Sequence, residues 1–135
     1  MPVIYGEDRP IYEVAPGVRR QFLIRGAVGS SRVSVVPSES LPGCVPPEHQ
    51  HADEEIFIFL EGIGIGAVGE ERVDIRPGVV LIVPPNTTHW FKNTGNTPLR
   101  QIVIYPNPKY DRPVRDRKVV DVGRPLVCVS PTTEQ

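Results

Sequence analysis

The stretch Gly43–Gly62, GCVPPEHQHADEEIFIFLEG, decides how the chain reads. It carries His49 and His51 one residue apart, with Glu55 four positions on. The third and last histidine, His89, lies in Gly78–Asn93, GVVLIVPPNTTHWFKN. Successive residues of a strand point to opposite faces, so His49 and His51 leave one face together. Glu55 opens the next extended run after the short connection Ala52-Asp53-Glu54, and that run can lie beside the first. His89 comes from a strand distant in sequence. Three imidazoles and one carboxylate form a donor set suited to zinc, iron, manganese, nickel or copper. The alternative is a set of core or surface histidines that share no ion, and an H-x-H pair by itself does not decide between the two.

Around this stretch the chain is finely cut. Its 135 residues hold 16 prolines and 12 glycines, and the longest piece free of both is Glu48–Glu61. Helix interiors tolerate neither residue, whereas turns between short strands need them, so the composition predicts an all-β sandwich or barrel. Residues 1 to 17 read as an irregular lead-in. Strands are expected at 18–25, 32–36, 48–51, 55–60, 71–75, 79–83, 89–93 and 99–105, with 62–68 an alternating glycine segment. Residues 37–47 read as a proline-studded loop. The run Ile56–Leu60 is apolar on both faces and is expected to be covered on both, by the barrel interior and by a second sheet or a partner subunit. Val79–Val83 is β-branched and reads as a buried strand. Residues 1–30 form an N-terminal arm with the first strands, 31–106 the barrel core, and 107–135 a proline-rich C-terminal extension of the same domain. That extension reads as solvated, with Val119, Val120, Val122 and Leu126–Val129 able to add a strand to a sheet edge, of this chain or of a partner subunit.

Fifteen basic and sixteen acidic residues leave a formal charge of -1, which argues against nucleic-acid or anionic-membrane partners. No apolar run is long enough to span a bilayer, and MPVIYGEDRP lacks the pattern of a signal peptide, so a cytoplasmic location is expected. Cys44 and Cys128 are expected as free thiols, Cys44 a buried structural one.

The spacings then meet a known pattern. Gly43, His49, His51, Glu55 and Gly62, followed by Gly78, Pro84, His89 and Asn93, resemble the two motifs of the cupin superfamily, in order and across a short gap. Asn86 departs from the pattern where the family usually has glycine; asparagine is the residue after glycine that best tolerates positive φ. The resemblance implies a cupin-type, RmlC-like jelly-roll β-barrel, usually dimeric. It also implies one divalent metal ion per chain held by His49, His51, Glu55 and His89, with an open position for substrate. Iron is the first expectation; zinc, manganese, nickel and copper are the others. The implied function is a metal-dependent enzyme on a small oxygenated organic molecule, with preference for a non-haem iron dioxygenase. The alternatives are a redox-neutral isomerase, cyclase or lyase using the metal as Lewis acid, and a non-catalytic small-molecule binding module.

No fourth histidine exists, so a general base would be Glu55 released from the metal, a metal hydroxide, or a further carboxylate or tyrosine. By strand parity Phe57 and Phe59 share a face with Glu55, and Phe91 with His89, which makes them candidates for an apolar wall or for plain core. Gln101 and Tyr105 are candidate polar groups on a neighbouring strand, and Arg32 and Arg100 candidates for binding a substrate carboxylate. Gly64 and Gly66 either clear cavity space or mark close backbone packing. Trp90 and Lys92 fall on the face opposite His89. The two-sided apolar strand at Ile56–Leu60 predicts a homodimer.

Overall fold

The structure is a computed structural model that describes residues 3–44, 48–109, 118–121 and 123–128. Among these, ten strands form two antiparallel sheets. They are β1 (Ile11–Ala15), β2 (Val18–Arg20), β3 (Ser34–Ser40), β4 (Glu55–Glu61), β5 (Gly64–Val68), β6 (Glu71–Ile75), β7 (Val80–Val83), β8 (His89–Asn93), β9 (Leu99–Tyr105) and β10 (Lys118–Asp121). Seven lie in one sheet in the order β10-β1-β2-β3-β9-β4-β7, and three in another in the order β6-β5-β8. Phe57 and Phe59 of β4, Val36 of β3 and Val103 of β9 pack with Ile75 of β6 and Phe91 of β8 in one core, so the sheets lie face to face. Burial alternates along β4 and β9, with Glu55, Phe57 and Phe59 inward on one and Leu99, Gln101 and Val103 inward on the other. The all-β expectation holds, and no described helix is long and apolar enough to cross a membrane.

Several local expectations fail for identifiable reasons. The lead-in contains β1, because Tyr12 and Glu13 pair with Arg20 and Arg19 around the Pro16-Gly17 turn. The strand expected at 18–25 stops at Arg20 and resumes only as a single bridge from Ile24 to Val35. The strand expected at 32–36 instead begins at Ser34 and runs to Ser40, through Pro37 and into the segment read as a loop. Pro37 can sit inside a sheet because its missing N–H faces Gln21, where β2 has ended. Gln21 N–H still donates to the Pro37 carbonyl (3.0 Å), while the Gln21 carbonyl turns back to accept from Leu23 N–H (3.1 Å). At 48–51 only one bridge forms, at His49. Residues 118–121 do add a strand, β10 on β1 of the same chain. Residues 45–47, 110–117, 122 and 129–135, on which parts of the loop and tail readings fall, lie outside the described residues.

β7 is not the buried strand expected. It is an edge strand, with Val80 58 % and Ile82 61 % exposed. Its outward side chains continue two apolar rows across the outer face of the large sheet, Ile82–Ile56–Ile104–Val35 and Val80–Ile58–Ile102–Pro37. Farther along that face the rows turn charged. Glu39 is almost fully buried between its register partners Arg19 and Arg100, with Arg124 Nη2 3.0 Å from its carboxylate.

Gln21 ties both chain ends to the sheet. Its buried amide donates to the carbonyls of Gly6 (2.9 Å), Arg9 (3.0 Å) and Arg124 (3.2 Å) and accepts from Leu126 N–H (2.8 Å). Gln21→Leu keeps the volume and strands these groups, each costing about 1–3 kcal/mol when buried without a partner. The expected result is a stability loss of about 2–4 kcal/mol in denaturant unfolding. An unchanged midpoint would contradict this role for Gln21.

Candidate metal centre

Two distant pieces of chain are brought together by backbone bonds. His49 N–H donates to the His89 carbonyl (3.2 Å) and His89 N–H to the His49 carbonyl (2.9 Å). Asn86 N–H reaches the His51 carbonyl at 2.6 Å. Asn86 has φ 57°, the one positive value among described non-glycine residues, and Gly43, Gly62 and Gly78 are positive at 78°, 87° and 93°. The asparagine therefore does the work of the glycine it replaces in the turn that delivers His89.

Glu55 enters from β4, in the facing sheet. One ligand atom from each of His49, His51, Glu55 and His89 can be chosen so that all lie within 4.8 Å of one another. Donors at ~2.1 Å from a shared ion stand at most about 4.2 Å apart, so the set needs to close by only a few tenths of an ångström. His51 Nε2 is 2.9 Å and His89 Nε2 3.5 Å from Glu55 Oε1. His89 Nδ1 lies 3.0 Å from the Thr87 carbonyl, a contact that requires Nδ1–H as donor and turns Nε2 toward the cluster. Both Glu55 oxygens and His89 Nε2 are buried and meet no donor in a hydrogen-bonding geometry. Buried polar atoms left this way are costly, and a divalent cation at their centre satisfies them together. The four residues therefore fit a divalent metal.

Burial pushes the Glu55 carboxyl up, but close contact with His51 and His89, and their charge, outweigh it and bring it down to about 2. At neutral pH Glu55 is a carboxylate, the form that binds a cation. It is also too weak a base, as it stands, to hold a proton.

A cavity opens beside the cluster. It is lined by His49, Glu55, Phe57, Phe91 and Gln101 of the residues singled out above, and by Trp90 despite its outward parity. Phe59 instead packs in the core behind Phe57 and Phe91, with ring centroids 6.3 and 5.5 Å away. Tyr105 stands at the cluster, its ring 5.6 Å from that of His51. Arg32 and Arg100 are not in the cavity. Arg32 is exposed ahead of β3, and Arg100 is on the outer face, held by Glu39 (3.2 Å) and Glu61 (3.4 Å). A Cβ on Gly64 or Gly66 would collide with the carbonyls of Lys92 or Trp90, so these glycines serve close strand packing rather than cavity space. Half-buried Cys44 places Sγ 3.4 Å from the Pro16 carbonyl, and burial raises its thiol pKa. Val18, Arg20, Ser38 and Ser40 also line the cavity, and none was picked out from the sequence. The available signal was parity: Arg20 stands between Val18 and Phe22, both of which are buried.

Residues 38–105 match the family model described as "Cupin domain". The chain is 30 % identical over 104 residues to auxin-binding protein 1 of Arabidopsis thaliana, covering 69 % of this chain and 52 % of the relative. It is 30 % identical over 84 residues to acireductone dioxygenase of Cronobacter sakazakii, covering 59 % and 47 %. The chain spans about half, or less, of the length of the curated relatives it matches. The polyketide cyclase RemF of Streptomyces resistomycificus superimposes with a TM-score of 0.71 at 20 % identity, over 93 % of this chain and 89 % of that one, which shows a shared fold. With half of its length matched by the domain model, and with the motif histidines, glutamate and turns in place, the chain belongs to the cupin family.

Proposed function

We propose that this protein is a metal-dependent enzyme acting on a small oxygenated organic molecule, and within that class a non-haem iron dioxygenase. The observation that carries the reading is the half-buried cluster of three imidazoles and one carboxylate opening onto a cavity. The similarity to acireductone dioxygenases supports the oxygen-dependent member of the class. An iron ion held there by His49, His51, Glu55 and His89 would supply open positions for oxygen and for adjacent substrate oxygens. The chain's own part is to keep four donors fixed, to exclude water with Phe57 and Phe91, and to hold Glu55 as a carboxylate. A catalytic role for Glu55 as base would require its release from the cation. A cytoplasmic setting goes with this reading.

Auxin-binding protein 1, a relative named for binding, favours a second reading in which a ligand is held and not converted. Oxygen uptake separates the readings. Iron-loaded protein supplied with a panel of small enediols and catechols is expected to consume oxygen, with at least a hundredfold loss in His89→Ala. Product formation that persists unchanged without oxygen would establish Lewis-acid chemistry instead. Ligand binding with no conversion of any panel member would support the binding module.

The reading includes a homodimer closed through the apolar rows of the outer face, where Ile56, Ile58, Val80 and Ile82 meet their two-fold copies. Light scattering at micromolar concentration is expected to give about twice the 15.0 kDa chain mass, falling to one chain in Ile82→Lys. A monomeric wild type would contradict it.

A further inference from the structure

The imidazoles of the cluster are steadied in different ways. His89 is fully buried, and its Nδ1 is fixed by the Thr87 carbonyl at 3.0 Å. His51 stands just before the connection Ala52–Glu54, on a piece of chain that forms no regular strand, and its side chain is 18 % exposed. Its Nε2 lies 2.9 Å from Glu55 Oε1. Both atoms are donors that an ion would take, so that contact cannot also serve to orient the ring for ligation.

A ring from outside the donor set meets His51. Tyr105 ends the inward row Leu99, Gln101, Val103 and Tyr105 of β9. Its ring centroid is 5.6 Å from that of His51, with the planes at 67°. Edge-to-face contact at this separation is a favourable arrangement of two aromatic rings. Tyr105 is itself firmly seated. Its backbone pairs with Ser34 of β3, and its ring packs against the core. Asn107 N–H donates to the Tyr105 carbonyl (2.8 Å), and the Asn107 carbonyl accepts from the buried Ser34 hydroxyl (2.7 Å). One residue on, the Pro108 carbonyl accepts from Gly26 N–H (2.7 Å). The end of β9 is thus a fixed base beside a ligand carried on irregular chain.

We propose that Tyr105 is a positioning residue for the metal centre, its ring holding the His51 imidazole in the orientation that ligation needs. The inference rests on the metal-site reading above. The role belongs to the ring and not to the phenol hydroxyl. A ligand held in place beforehand gives up less rotamer freedom when the ion binds, and the affinity is higher by that amount.

Cobalt(II) titration of the metal-free chain, followed through the visible absorption bands of the bound ion, tests it. Tyr105→Phe is expected to stay within about twofold of the wild-type affinity and to keep its bands. Tyr105→Leu is expected to bind cobalt about three- to tenfold more weakly, the worth of one aromatic pair, and to shift the bands. Circular dichroism of each metal-free variant reports whether it is folded. Should Tyr105→Leu fail to fold, Tyr105→Met, which keeps more of the volume, carries the same expectation. A folded Leu or Met variant with wild-type affinity and bands would overturn the assignment, as would a Tyr105→Phe that falls as far as they do. Either result leaves the metal-site reading standing. A wild type that binds no cobalt would overturn the two together.

Discussion

Two backbone hydrogen bonds between His49 and His89 hold the site together. They join a piece of chain that forms no regular strand to β8, the edge of the small sheet. In doing so they set the two imidazoles side by side, with ring centroids 4.3 Å apart. Everything else at the centre depends on that pairing. His51 follows two residues on, and its carbonyl receives Asn86 N–H from the turn before β8. Glu55 then comes in from the opposite sheet, 1 % exposed, with its charge answered among the described residues by the imidazoles of His51 and His89. A buried carboxylate in that position destabilises a protein unless cationic partners are present. The fold therefore carries an electrostatic cost at this point that a bound metal ion would relieve.

The rest of the sandwich can be read as support for that geometry. The inner face of the large sheet presents Glu55, Phe57 and Phe59 in succession, so one strand supplies the carboxylate of the cluster, a cavity wall and a core anchor. The outer face puts its charges in a separate cluster around Glu39, away from the cavity. Gln21 closes the structure by fastening the segments at Gly6, Arg9, Arg124 and Leu126 to the end of β2.

Much of this was legible in the sequence, unevenly. The clustering of His49, His51, Glu55 and His89 could be read because a shared ion would restrict residue type and spacing together, and Asn86 because one backbone angle restricts the choice to glycine or asparagine. Strands β4 to β9 followed from alternation punctuated by glycine and proline. β1 and the second half of β3 did not, because their pairing is non-local: Pro37 is tolerated only because β2 ends at Arg20, which no local pattern announces. Val79–Val83 looked buried because β-branched composition reports strand preference and not which faces are covered. Arg100 was a candidate for the cavity and lies outside it, and Arg20, which lines it, was not singled out, for one reason. An arginine's side is fixed by register, and register in short strands is set by partners far along the chain.

The central claim is that His49, His51, Glu55 and His89 hold one ion together. Metal analysis of the purified chain after equilibration with iron(II) without oxygen, followed by gel filtration, addresses it most directly. The account predicts one equivalent per chain in the wild type, and loss of most of it in both His89→Ala and Glu55→Ala. Wild-type protein that retains no metal, or variants that retain a full equivalent, would contradict it.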